Sequence, residues 1–253
     1  MFTTAMFALG LFLLLLLLVE VGRRLGIRQV KADPEHRGIG PIEGALFALL
    51  GLLIAFTFSG AESRFQARRQ LIVQEANAIG TAYLRVDLLP PQEQPRMREN
   101  FRQYLDSRLA VYQCLQEPTA SHAARARAEA LQAEIWGQAV RCAQTASTTL
   151  PGMLLLPALN DMIDITTTRA VALQTHPPKI VYGILFGLTL LSALMAGHAM
   201  AASRARSWLH ILCYAGIMVL ALVVIVDFEY PRMGLIRIDA VDQVLVDLRA
   251  GMK

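Results

Sequence analysis

The chain has 253 residues, 55% of them hydrophobic, with a mean hydropathy of +0.42 and a formal net charge of +4. That hydropathy is too high for an ordinary soluble domain of this length and points to a membrane protein. The positive charge comes from scattered arginines without interleaved aromatic residues, which argues against a nucleic-acid partner and fits anionic lipid headgroups.

Residues 2–21 open the chain with a run that carries no charge until Glu20. At about 1.5 Å per residue this run nearly crosses a roughly 30 Å hydrocarbon core. No Lys or Arg precedes it and no small-x-small cleavage site follows, so it reads as a retained span rather than a signal peptide. A second span is predicted over 39–60, with Pro41 in the first helical turn, where its missing N–H costs nothing. A third, over 180–202, is entered through Pro177-Pro178. The fourth covers 208–226 and places Trp208 as an interfacial anchor. Two hairpins of apolar spans thus flank a long insert, residues 61–179.

The insert reads as helix throughout. Phe65, Ile72, Ala76, Ile79, Tyr83 and Val86 recur on one helical face that continues the second span, and Pro90-Pro91 ends it. A further helix is predicted over 94–115, with Met97, Phe101, Leu105 and Leu109 on one face. Another, capped by Thr119 or Ser121, runs to about Thr145, and a last one spans 157–173. No stretch alternates apolar and polar residues long enough for a sheet. The final segment, 227–253, turns at Tyr230-Pro231. Its short stripe of Val241, Val244, Leu245 and Leu248 suits a helix docked on the insert. The expected fold is an all-α membrane protein: four transmembrane helices in two hairpins, with a helical insert between spans two and three.

An even number of spans puts the insert and both ends of the chain on one side. Arg23, Arg24, Arg28, Lys31 and Arg37 lie in the first short loop, and Arg204 and Arg206 in the second. The positive-inside rule then places those loops in the cytoplasm and favours a periplasmic insert. Arg64, Arg68, Arg69, Arg169, Lys179, Arg232 and Arg237 crowd the opposite side and weaken that bias.

Signs of catalysis are few. No nucleophile elbow, phosphate loop, HExxH or dinucleotide fingerprint occurs, so an enzyme, a metal or a cofactor is not expected. The glycines of GIGPIEG, residues 38–44, follow no strand and read as a span entrance. Cys114, Cys142 and Cys213 form no metal-ligand pattern; they suit helix packing, and a Cys114–Cys142 disulfide would need an oxidising compartment. Asn160, Asp161 and Asp164 make one polar helix side, read as solvated. His198 and His210 could approach each other across the last hairpin. Glu43, ionisable at the start of a span, either faces water in a pore or lies among headgroups.

Ala48, Leu52, Phe56 and Gly60 recur every four residues, and Arg64 follows on the same slowly rotating stripe. In a ring of identical subunits this edge could form a dry apolar neck, with Arg64 and Arg68 as charges at the exit and Glu43 at the entrance. The competing reading packs Leu52 and Phe56 against other spans.

The segment FTFSGAESRFQAR, residues 56–68, resembles the signature that ends the second span of bacterial bestrophins. Phe56, Arg64, Phe65, Ala67 and Arg68 match it; Thr57, Phe58 and Glu62 depart. Glu229-Tyr230-Pro231 and Gly234 are similar to that family's Glu-Asn-Pro-Phe-Gly turn. QLIVQEANAIGTAYLR, LLLPALNDMIDITTTR and LIRIDAVDQVLVDLR bring the chain still closer to the bestrophin-like domain proteins, over nearly its whole length. The resemblance implies a homopentameric ion channel whose second span lines the pore, with its neck at Ala48, Leu52 and Phe56. It also implies a cytosolic insert, against the loop-charge reading. The alternative function is a non-conducting membrane anchor or sensor whose insert binds a partner.

Overall fold

A computed structural model describes residues 2–32, 40–113, 117–145, 149–202, 207–232 and 234–252. They form eight α-helices: α1 (Phe2–Ala32), α2 (Gly40–Leu84), α3 (Gln94–Gln113), α4 (Pro118–Thr145), α5 (Leu150–Gln174), α6 (Lys179–Ala199), α7 (Trp208–Glu229) and α8 (Gln243–Gly251). Among the described residues there is no strand. Four candidate spans are long and apolar enough to cross a membrane, as the composition requires.

The chain divides into two compact units. The first comprises residues 1–65 and 176–237 and holds α1, the first part of α2, α6 and α7. Its core gathers Leu11, Leu15 and Val19 of α1 with Leu50 and Ala61 of α2, Leu185 and Ala193 of α6, and Leu222 and Ile225 of α7. Although the short connections join α1 to α2 and α6 to α7, α1 packs closely against α6. Small residues permit it. Gly22 and Gly26 stand four apart on α1, where Gly22 faces the backbone of Leu194 and His198 and Gly26 faces His198 and Ala201, while Gly197 of α6 faces the backbone of Val19. A Cβ at Gly22 would lie 1.9 Å from the Leu194 carbonyl oxygen, and one at Gly197 would lie 2.0 Å from that of Val19. Lipid supplies no hydrophobic force between helices, so close van der Waals packing through such residues does the holding.

The second unit comprises residues 66–175 and 238–253 and holds the rest of α2 with α3, α4, α5 and α8. Ile72, Ala76, Ile79, Tyr83 and Val86 are all buried, as are Met97, Phe101 and Leu105 of α3, while Leu109 is half-buried. The α8 helix buries Leu245 and lies against α3, where Arg249 donates to both oxygens of Asp106 at 2.7 and 3.0 Å. Two predicted helix starts shift. The α4 helix begins at Pro118, so Thr119 and Ser121 lie inside it; the Ser121 N–H already donates to the Glu117 carbonyl at 3.0 Å. The α5 helix begins at Leu150 with Pro151 in its first turn, so Pro157 sits within the helix rather than at its start. Proline is tolerated best where its missing N–H has no partner to lose, and Pro151 takes that role here.

Candidate functional site

The α2 helix is the least covered of the four candidate spans. Its inner side contributes Leu50 and Ala61 to the core, with Leu53 and Ile54 partly buried against it. Its other side is open. Ala48 and Gly51 are exposed, Leu52 keeps 53% of its surface and Phe56 69%. Ala48, Leu52 and Phe56 of the four-residue stripe are therefore exposed on the subunit, while Gly60 is half-buried.

At the end of that stripe the charges are already engaged. Arg64 donates from Nε to Oε1 of Glu229 at 2.6 Å, and a second guanidinium nitrogen pairs with the same oxygen. Glu229, at the end of α7, is fully buried, while the Arg64 side chain keeps 30% of its exposure. The other Glu229 oxygen lies 3.2 Å from Nδ1 of His176, whose ring stacks on Tyr230 at 4.9 Å between centroids. Arg68 is buried, and donates to the carbonyls of Ala172 at 3.1 Å and Thr175 at 2.9 Å. These are unpaired carbonyls at the C-terminus of α5, where a cation also complements the helix dipole. Arg68 thus serves as a helix cap.

The turn after α7 is closed by a residue that sequence reasoning passed over. Asp227 is buried and its Oδ2 accepts the Leu235 N–H at 2.7 Å. A Cβ at Gly234 would lie 2.0 Å from Asp227 Oδ1, so the carboxylate leaves room only for glycine. Pro231 is buried in the same turn, and Phe65 packs on Phe228 with centroids 5.2 Å apart. The signal for Asp227 is an acidic residue two positions before Glu229, at the end of an otherwise apolar span.

At the other end of the spans, Glu43 is mostly buried, 3.7 Å from Nδ1 of His198. The His198 Nε2 lies 3.0 Å from Oε1 of Gln29 on α1. His210 instead pairs with Ser207, at 2.5 Å, so the two histidines have different partners. Cys142 is buried and Cys213 exposed, both as free thiols, and Cys114 lies outside the described residues. Asn160, Asp161 and Asp164 are exposed, and Asn160 donates to Asp164 at 3.1 Å.

The insert unit contains a polar centre that periodicity did not reveal. Glu75 is fully buried on α2. Arg108 of α3 donates to its Oε1 at 2.6 Å, Arg169 of α5 donates to its Oε2, and the Tyr112 hydroxyl donates to Oε2 at 3.3 Å. The Arg169 guanidinium lies 4.1 Å from the centroid of the Tyr112 ring. Burial pushes the Glu75 carboxyl up, but the two guanidinium groups outweigh burial and hold it below the ordinary carboxylate range. The Tyr112 phenol is pushed up to about 12, first by burial and then by Glu75. One carboxylate thereby ties α2, α3 and α5 together.

A family model for the bestrophin-like domain matches residues 9–242. The chain belongs to that family. Its fold is also that of a solved bacterial bestrophin homologue from Klebsiella pneumoniae. A tyrosine-to-alanine mutant of that homologue superposes with a TM-score of 0.73 at 13% identity, covering 95% of this chain and 98% of that one. An isoleucine-to-threonine mutant gives 0.75 at 12% identity, covering 96% and 99%. No curated protein matches. At such identities the likeness shows the bestrophin fold, while side-chain roles have to be argued from this chain's own residues.

Proposed function

We propose that this bestrophin-like protein assembles as a homo-oligomer, a pentamer by family likeness, and conducts ions through a pore lined by the first part of α2. The observation that carries the reading is the outward stripe of Ala48, Leu52 and Phe56. These apolar side chains, Leu52 and Phe56 large among them, are uncovered within the subunit, and their spacing suits a narrow neck that gates by dewetting. Arg64 stands beyond Phe56 on that side with a third of its side chain open, and Glu229 neutralises much of its charge. The exit ring is therefore less positive than a count of arginines suggests, and Arg68, buried as a helix cap, adds little to it. Glu43 at the entrance is shared with His198 rather than directed only at a passing ion.

The protein acts in the bacterial inner membrane. Loop charge favours a periplasmic insert and family likeness a cytosolic one; protease treatment of spheroplasts, with the insert cut or spared, separates the two. Purified oligomer in planar bilayers tests conduction. The expected result is single-channel current whose gating or rectification changes in Phe56→Ala. Silent bilayers from well-folded oligomer would instead favour the non-conducting anchor whose insert binds a partner.

A further inference from the structure

The polar centre of the insert has more donors than it uses. Each guanidinium carries five N–H donors in a planar fork. Glu75 accepts one nitrogen from each of Arg108 and Arg169, and the Tyr112 hydroxyl accepts a second from Arg108. Among the described residues nothing else accepts from either arginine. Yet neither contributes a sealed, unbonded nitrogen. The remaining donors open onto a cavity of about 200 Å³ that both side chains line.

Three helices of the insert build this cavity. Arg108 and Arg169 are buried at its floor, and Arg125 of α4 is exposed at its mouth. Among the described residues Glu129 is the only acidic side chain in the lining, and Glu75 lies behind the floor. Three guanidinium groups against two carboxylates leave one positive charge, which a monoanion balances and a dianion overshoots. The rest of the wall includes the exposed Val171 and the half-buried Leu173, which no ion alone would cover. A planar carboxylate matches the fork geometry of arginine, and a short hydrocarbon tail matches the apolar wall.

We propose that this cavity binds a small monocarboxylate, its carboxylate on Arg108, Arg169 and Arg125 and its tail against Val171 and Leu173. The site lies wholly within the insert unit, so the proposal stands whether or not the oligomer conducts.

The test uses the full-length protein in lipid nanodiscs and isothermal titration with three probes: butyrate, its uncharged analogue butyramide, and inorganic phosphate. Butyrate binds saturably, butyramide does not, and phosphate binds more weakly than butyrate. Arg125→Ala weakens butyrate by about tenfold, the size expected for one charge-assisted contact. Because Arg125 is exposed, the ligand-free melting temperature of this variant stays at the wild-type value. Equal binding of butyrate and butyramide, tighter binding of phosphate, or no saturable binding would each overturn the proposal. So would unchanged affinity in Arg125→Ala, or an oligomer structure in which a neighbouring subunit's side chain fills the cavity.

Discussion

The two parts of α2 solve different problems with one continuous helix. From Gly40 to Phe65 only one side meets the subunit's own core, through Leu50, Ala61 and Phe65, and the opposite side leaves Leu52 and Phe56 uncovered. From Gln66 to Leu84 the helix is locked into a closed core, with Ile72, Glu75, Ala76 and Ile79 each less than a twentieth exposed. Within its own subunit the first part is incomplete and the second is complete. A core face can be judged from one chain; an outward apolar face takes its meaning from what lies beyond that chain.

The sharpest way to break this contrast is to attack the complete part. Glu75→Ala leaves Arg108 and Arg169 buried without their shared carboxylate and should cost about 3–5 kcal/mol in the stability of the insert, read by thermal or denaturant unfolding. The same carboxylate sets a pH dependence. Its folded-state pKa lies below the unfolded value of about 4.3, so its contribution is fully present above that value and is lost as pH falls through the folded one. Wild-type protein should lose stability below about pH 4.3, and Glu75→Gln should show a shallower slope there.

Arg68→Ala comes next. It strips two charge-assisted hydrogen bonds from the end of α5 and should cost about 1.5–3 kcal/mol, with faster hydrogen exchange at residues 171–175. In the membrane unit, Gly197→Ala forces a Cβ against the Val19 carbonyl and should cost about 1–3 kcal/mol in a detergent melt. Gly183→Ala, where nothing lies within 4 Å, serves as its neutral partner. The smallest effect on stability is expected where the largest effect on current is proposed. Phe56→Ala removes a side chain that the subunit does not cover and should move its unfolding by no more than about 0.5 kcal/mol while altering conduction.

Sequence patterning made much of the fold legible. Four apolar runs of bilayer length gave the spans, and the helical repeat from Phe65 to Val86 marked a core face that is buried in full. The glycine contacts were not legible, because Gly22 and Gly197 are informative only once their partners Leu194 and Val19 are known. Nor was the Glu75 centre. Its members lie 33 and 94 positions apart along the chain, and a charged residue on an otherwise apolar face breaks the pattern that periodicity seeks. For the candidate site the stripe of Ala48, Leu52 and Phe56 could be counted directly. The engagement of Arg64 with Glu229 could not, since local spacing carries no information about partners 165 positions away.

A structure of the assembled protein in lipid nanodiscs, solved by electron cryomicroscopy, tests the central claim most directly. The account predicts a closed ring of subunits in which Leu52 and Phe56 of every copy converge on the symmetry axis and set the narrowest radius. A ring with those side chains turned into lipid or packed into the neighbouring copy, and no axial passage between them, would contradict it.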